Sequence, residues 1–145
     1  MAVDGELVYA DHWKRDKRDP HPVALLSWYR WLEAFIAVNS PDMASIEMHA
    51  YRATSDKTSP AATHAVAYFQ GVAALCCKMH GLVVLEVRVS TARSIVLGNG
   101  SLSKDAAWDI MRQRYPAMFA AKTSGGADEM DAAVCALAGP VAAER

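Results

Sequence analysis

Met43-Ala44-Ser45-Ile46-Glu47-Met48-His49-Ala50-Tyr51 is the stretch on which the fold turns. It alternates as a strand, with Met43, Ser45, Glu47, His49 and Tyr51 on one face and Ala44, Ile46, Met48 and Ala50 on the other. A carboxylate is costly to bury without a partner. The face that carries Glu47 beside Ser45 and His49 therefore reads as partly wet. Upstream, Leu25, Leu26, Trp28, Tyr29, Leu32, Phe35 and Ile36 repeat at helical spacing through residues 23–38, and Asn39-Ser40-Pro41 ends that helix. Downstream, a polar loop over residues 52–59 leads to Pro60, well placed to begin a helix that runs to about Met79 before Gly81.

The outer segments extend the same alternation. Residues 82–89 are apolar and β-branched, the signature of a buried strand. Gly98-Asn99-Gly100 marks a loop, and Ser101 or Ser103 can cap a helix that reaches about Tyr115. Gly125-Gly126 precedes a last helix over residues 128–138, with Gly139-Pro140 as its stop. At the other end, Asp4-Gly5 between short apolar runs is a hairpin signal within residues 1–13. Hairpin, helix, strand, helix, strand, helix, helix is the order of an α/β domain with helices on a mixed sheet.

Composition fits one such domain. The chain has 145 residues, 52% of them hydrophobic and 21% charged, with a net charge of −1. That balance excludes a bulk-charge attraction to nucleic acid, so any phosphate contact needs a local basic face such as Lys14, Arg15, Lys17 and Arg18. No apolar stretch is long enough to cross a bilayer, and the N-terminus lacks the pattern of a secretory signal. Three cysteines, two of them adjacent (Cys76, Cys77), make neither a disulfide framework nor a zinc pattern. They read as small core residues in a reducing, cytoplasmic setting.

Two features carry chemistry. Glu47 is a carboxylate inside a strand. Asp128 and Asp131, three apart at a helix start, share one face. A strand acid with such a pair supplies the oxygen donors that Mg²⁺ or Mn²⁺ takes. The same Asp-x-x-Asp pattern also suits helix capping and the helix dipole. If the three acids cluster without a metal, repulsion should raise at least one pKa, and Asp131→Asn should stabilise the fold slightly.

From Ile46 to the C-terminus the sequence resembles the RuvC family of Holliday-junction resolvases, within the RNase H-like superfamily. The resemblance runs through Ile46-Glu47, Gln70-Gly71-Val72-Ala73, the strand over residues 82–89, Gly98-Asn99-Gly100-Ser101-Leu102-Ser103-Lys104 and Ala127-Asp128-Glu129-Met130-Asp131-Ala132-Ala133. It implies an RNase H-like mixed sheet flanked by helices. It also implies a metal-dependent endonuclease acting on branched DNA, a homodimer, and Mg²⁺ or Mn²⁺ bound by Glu47, Asp128 and Asp131. Lys104 matches the family's basic residue near the scissile phosphate, and Arg93 falls where a second family lysine stands. Tyr51 is placed to stack on an unpaired base, as well as to fill a core.

One family element has no counterpart. The family's first strand, central in its sheet, carries an Asp-x-Gly motif, and residues 1–13 resemble the second and third strands instead. Asp4 and Asp11 are not natural substitutes. The expectation is that the natural protein continues upstream of Met1; the other readings are that another segment or chain fills the place, or that the domain is inactive. A catalytically dead RNase H-like module that binds nucleic acid or a protein partner, with the Trp28/Tyr29/Trp31 helix as a docking face, is the competing function.

Overall fold

The computed structural model describes residues 1–3, 6–7, 13–47, 60–119 and 126–143. Strands β1 (Ala2–Val3) and β2 (Glu6–Leu7) pair antiparallel in the register Ala2↔Leu7 and Val3↔Glu6. Helix α1 (His21–Asn39) has Pro22 in its first turn, where the missing N–H costs nothing. It ends at Ser40, whose left-handed backbone (φ 43°) lets its amide bond the Ile36 carbonyl. Strand β3 (Met43–Glu47) follows, then α2 (Pro60–Met79) as the crossover to β4 (Val83–Val87). β3 and β4 are parallel, with Glu47 opposite Val87, the arrangement a helical crossover produces.

Both faces of this pair are covered. On one side Ala44 and Val84 join Ile36, Cys76, Cys77 and Leu82 in a small core under α1 and α2. On the other, Leu85 and Val87 pack into the larger core with α3 (Val89–Leu97), α4 (Lys104–Arg114) and α5 (Gly126–Ala143). Trp108 and Phe119 meet edge to face there, with centroids 5.3 Å apart. An aromatic cluster runs along α1: Trp28 stacks on Trp31 and Trp31 on Phe35, while Trp13 packs against Trp28 and Phe69. All three cysteines are buried, and burial is the first cause pushing each thiol up, that of Cys135 to about 12. The folded protein should therefore be inert to a thiol reagent at pH 8, with stoichiometric labelling only in denaturant; rapid labelling of the native state would contradict this packing.

The α/β class and the order of the main elements agree with the sequence, with three corrections. The expected single mixed sheet is two separate two-stranded sheets among the described residues, β1–β2 and β3–β4. The strand expected to reach residue 89 stops at Val87, and α3 follows it. Val89, Ala92, Val96 and Leu97 are helically spaced, and their β-branched members suit a strand equally well. The last helix does not stop at Gly139-Pro140 but runs to Ala143.

Packing explains that third correction. Gly139 sits so close to β3 that a Cβ there would overlap the Ser45 hydroxyl. The helix is held against the sheet by burial of Leu137, Ala138 and Gly139, which outweighs the propensity cost of an interior proline. Gly139→Ala should cost about 1–3 kcal/mol through overpacking, despite alanine's higher helix propensity. Ser45→Gly in the same chain should recover most of the loss in a thermal melt. A neutral Gly139→Ala would show that α5 does not rest on β3 at this point.

Candidate functional site

The site is assembled by α5 lying along β3. Met43, Ser45 and Glu47 alternate onto one face of the strand. Ser45 and Met43 meet α5 at Gly139. One and two turns earlier on the same helix stripe, Cys135 and Asp131 are spaced to follow the strand toward Glu47. Electrostatics agree, because after burial the largest influences raising the Cys135 thiol are Glu47 and then Asp131. That thiol stays protonated near neutrality, so it is a packing residue and not a thiolate ligand.

Asp131 is buried, its side chain 5% exposed, and is held by Arg93. The guanidinium donates to Asp131 Oδ1 from Nε at 3.0 Å and from Nη2 at 2.6 Å. Its Nη1 donates to the Leu102 carbonyl at 2.7 Å. Arg93 therefore ties α3, the loop before α4 and α5 together, with its own side chain only 10% exposed. The Asp131→Asn expectation changes accordingly: neutralising Asp131 strands a buried guanidinium and should destabilise the fold. The sequence contains the signal for this role, since Arg93 stands within an apolar helical stripe with Val89, Ala92, Val96 and Leu97.

Lys104 opens α4, capped by Ser103 Oγ, which accepts from the Ala106 amide at 3.2 Å. A cation in a first helical turn opposes the helix dipole, and carboxylates offset that here. Lys104 Nζ donates to Asp128 Oδ1 at 3.0 Å and lies 3.9 Å from Asp131 Oδ2. The hydrogen bond to Asp128 is the first cause that holds its pKa above the ordinary lysine value, and the fields of Asp128, Asp131 and Glu47 add to it. Asp128 is 85% exposed, at the open side of the cluster.

The structure thus brings Glu47, Asp128, Asp131, Lys104 and Arg93 to one end of β3 and α5. Gln70, on α2, supports it by donating its side-chain amide to the Glu47 carbonyl. Lys14 and Arg15 are exposed in the segment before α1, Arg15 bonding the Asp19 carbonyl. Tyr51, His49, Asp4 and Asp11 lie outside the described residues. The donor set has the chemistry of a hard-cation site, and the Lys104 ammonium already sits in the combined field of all three carboxylates. Their geometry is not a closed cage: among the described residues no three His, Cys, Asp or Glu side chains converge closely enough to hold a metal ion. None of the described helices is long and apolar enough to cross a membrane.

No family model matches the sequence and no curated protein matches it significantly. Solved structures do. The chain is similar to Thermus thermophilus RuvC, with a TM-score of 0.69 and 14% identity over 93% of this chain and 79% of that one. It is also similar to T. thermophilus RuvC in complex with Holliday junction substrate, with a TM-score of 0.71 and 11% identity over 92% and 80% of the two chains. At such identity the likeness is one of fold, and the fold is RuvC-like.

Proposed function

We propose that this chain is the core of a RuvC-like endonuclease that hydrolyses phosphodiester bonds in branched DNA. The observation that carries the reading is Lys104 at 3.0 Å from Asp128 and 3.9 Å from Asp131, within the field of Glu47, at one end of a RuvC-like fold. Carboxylates from a strand and a helix start are the donors that would hold Mg²⁺ or Mn²⁺, and such ions stabilise charge on the attacking and leaving oxygens of a phosphodiester. Lys104 offers an ammonium at the open side of the site, where it would meet a phosphate oxygen. Arg93, turned inward, serves by fixing Asp131 and not by touching DNA. Lys14 and Arg15 are exposed cations available to the phosphate backbone.

A second reading, a metal-free RNase H-like module that binds nucleic acid without cutting it, is favoured by one observation. Arg93 and Lys104 already neutralise Asp131 and Asp128. Lys104→Met separates the two. Under the nuclease reading, in the protein extended by an Asp-x-Gly strand ahead of Met1, the variant keeps or tightens Mn²⁺ binding, measured by calorimetry, because a competing cation is gone, and loses junction cleavage by on the order of 10²-fold. Under the binding-module reading neither protein takes up Mn²⁺ and neither cuts. Absence of Mn²⁺ binding and cleavage in that extended protein, with junction binding retained, would replace the first reading by the second.

A further inference from the structure

The two aspartates at the start of α5 are held in different ways. Asp131 is buried, and both of its bonds from Arg93 fall on Oδ1, so it is pinned. Asp128, nearly one helix turn away, has a side chain 85% exposed and accepts from Lys104 Nζ at 3.0 Å. The Lys104 side chain is itself 55% exposed. Either member of that outer pair can turn into solvent without opening the core; Asp131 cannot.

The setting of the outer pair is that of an anion site. Lys104 is the first residue of α4, where the positive end of the helix loosens its own hold on a cation and draws an anion. A carboxylate oxygen and a phosphate oxygen make the same charge-assisted bond with an ammonium. The Asp128 carboxylate therefore stands where an external phosphate would stand, and Asp131 Oδ2, at 3.9 Å from Nζ, closes the inner side. One ammonium at the surface faces two competing anions, one of the chain and one of the ligand.

We propose that Asp128 is a guard on Lys104, an internal carboxylate that stands in for a backbone phosphate and must be displaced before nucleic acid can use that cation. This rests on the reading of the site as one that meets DNA. A duplex that approaches this end of the fold finds the cation already neutralised, with the charge of Asp131 behind it. Its phosphate takes Lys104 only by exchange, with Asp128 turning out to solvent. The guard thus trims the sequence-independent grip that an unpaired lysine on a DNA-facing surface otherwise adds. Asp128 is accordingly more than a donor for a cation: with no ion bound, it holds the site closed to phosphate.

Fluorescence anisotropy with a labelled duplex and a labelled four-way junction, in EDTA and over a salt series, tests this on the intact chain. Asp128→Asn keeps side-chain volume and removes the charge. It should tighten duplex binding about threefold, the scale of an exposed ion pair, with circular dichroism unchanged. The dependence of log K on log salt should steepen by about one unit, as one more phosphate contact forms. Loss of a negative charge also favours DNA in a general way, so the deciding measurement is the cycle with Lys104→Met. In that background Asp128→Asn should change affinity much less. Equal gains in both backgrounds, or no gain with Lys104 in place, would each overturn the guard while DNA binding by the native chain still stood. Failure of the native chain and of every variant to bind duplex or junction at low salt would overturn the DNA reading, and the guard with it.

Discussion

Joining a segment that carries an Asp-x-Gly strand ahead of Met1 is expected to switch on Mg²⁺- or Mn²⁺-dependent cleavage of four-way junctions, and Glu47→Gln to switch it off again. The expected loss is on the order of 10³-fold, or about 4 kcal/mol of barrier. The added strand would lie beside β3 and bring one more acid to the end of the sheet that carries Glu47, near Asp128 and Asp131. Glu47→Gln is a clean test because it keeps side-chain volume and leaves the bond from Gln70 intact, that bond being to the main-chain carbonyl. Cleavage by the extended protein that survives Glu47→Gln would remove Glu47 from the site. Robust cleavage by residues 1–145 unaided would mean that Asp4, Asp11 or another ligand completes it.

The second large effect is structural. Arg93→Leu should destabilise the protein by about 3–5 kcal/mol, because it leaves the Asp131 carboxylate buried without its partner. For a chain of this size that is roughly a 10–15 °C fall in melting temperature. Asp131→Leu should cost a similar amount for the converse reason. The double variant should lose much less than the sum, since a buried pair replaced by apolar side chains is often near neutral. Strict additivity would show that the two side chains do not act as a unit.

The helices and the parallel strand pair were legible because their apolar spacing is local and repetitive. Pro60, Ser103 and the Asn39-Ser40-Pro41 stop fall where the elements begin and end. Helix α3 was hidden because Val89, Ile95 and Val96 are β-branched and the helix is short. The run of α5 through Pro140 was hidden because Gly139 is there for a contact with Ser45, a residue far away in sequence. At the site, the types and order of the carboxylates pointed to one cluster; the fold puts Asp128 and Asp131 beside Lys104 and leaves Glu47 within its field, short of a convergence of three carboxylates. The part played by Arg93 needed the third dimension: its place in an apolar stripe says that it is buried, and only the fold says that Asp131 awaits it.

The distribution of indoles has an optical consequence. Trp13, Trp28 and Trp31 lie together along α1, whereas Trp108 is buried in the larger core, its ring against Phe119. A variant that keeps only Trp108 should emit at short wavelength and be sheltered from iodide quenching. Its spectrum would then report melting of the α3–α5 half by itself. Comparison with the native spectrum, which the three indoles along α1 dominate, would reveal whether the layers on the two faces of β3–β4 come apart at one temperature or two.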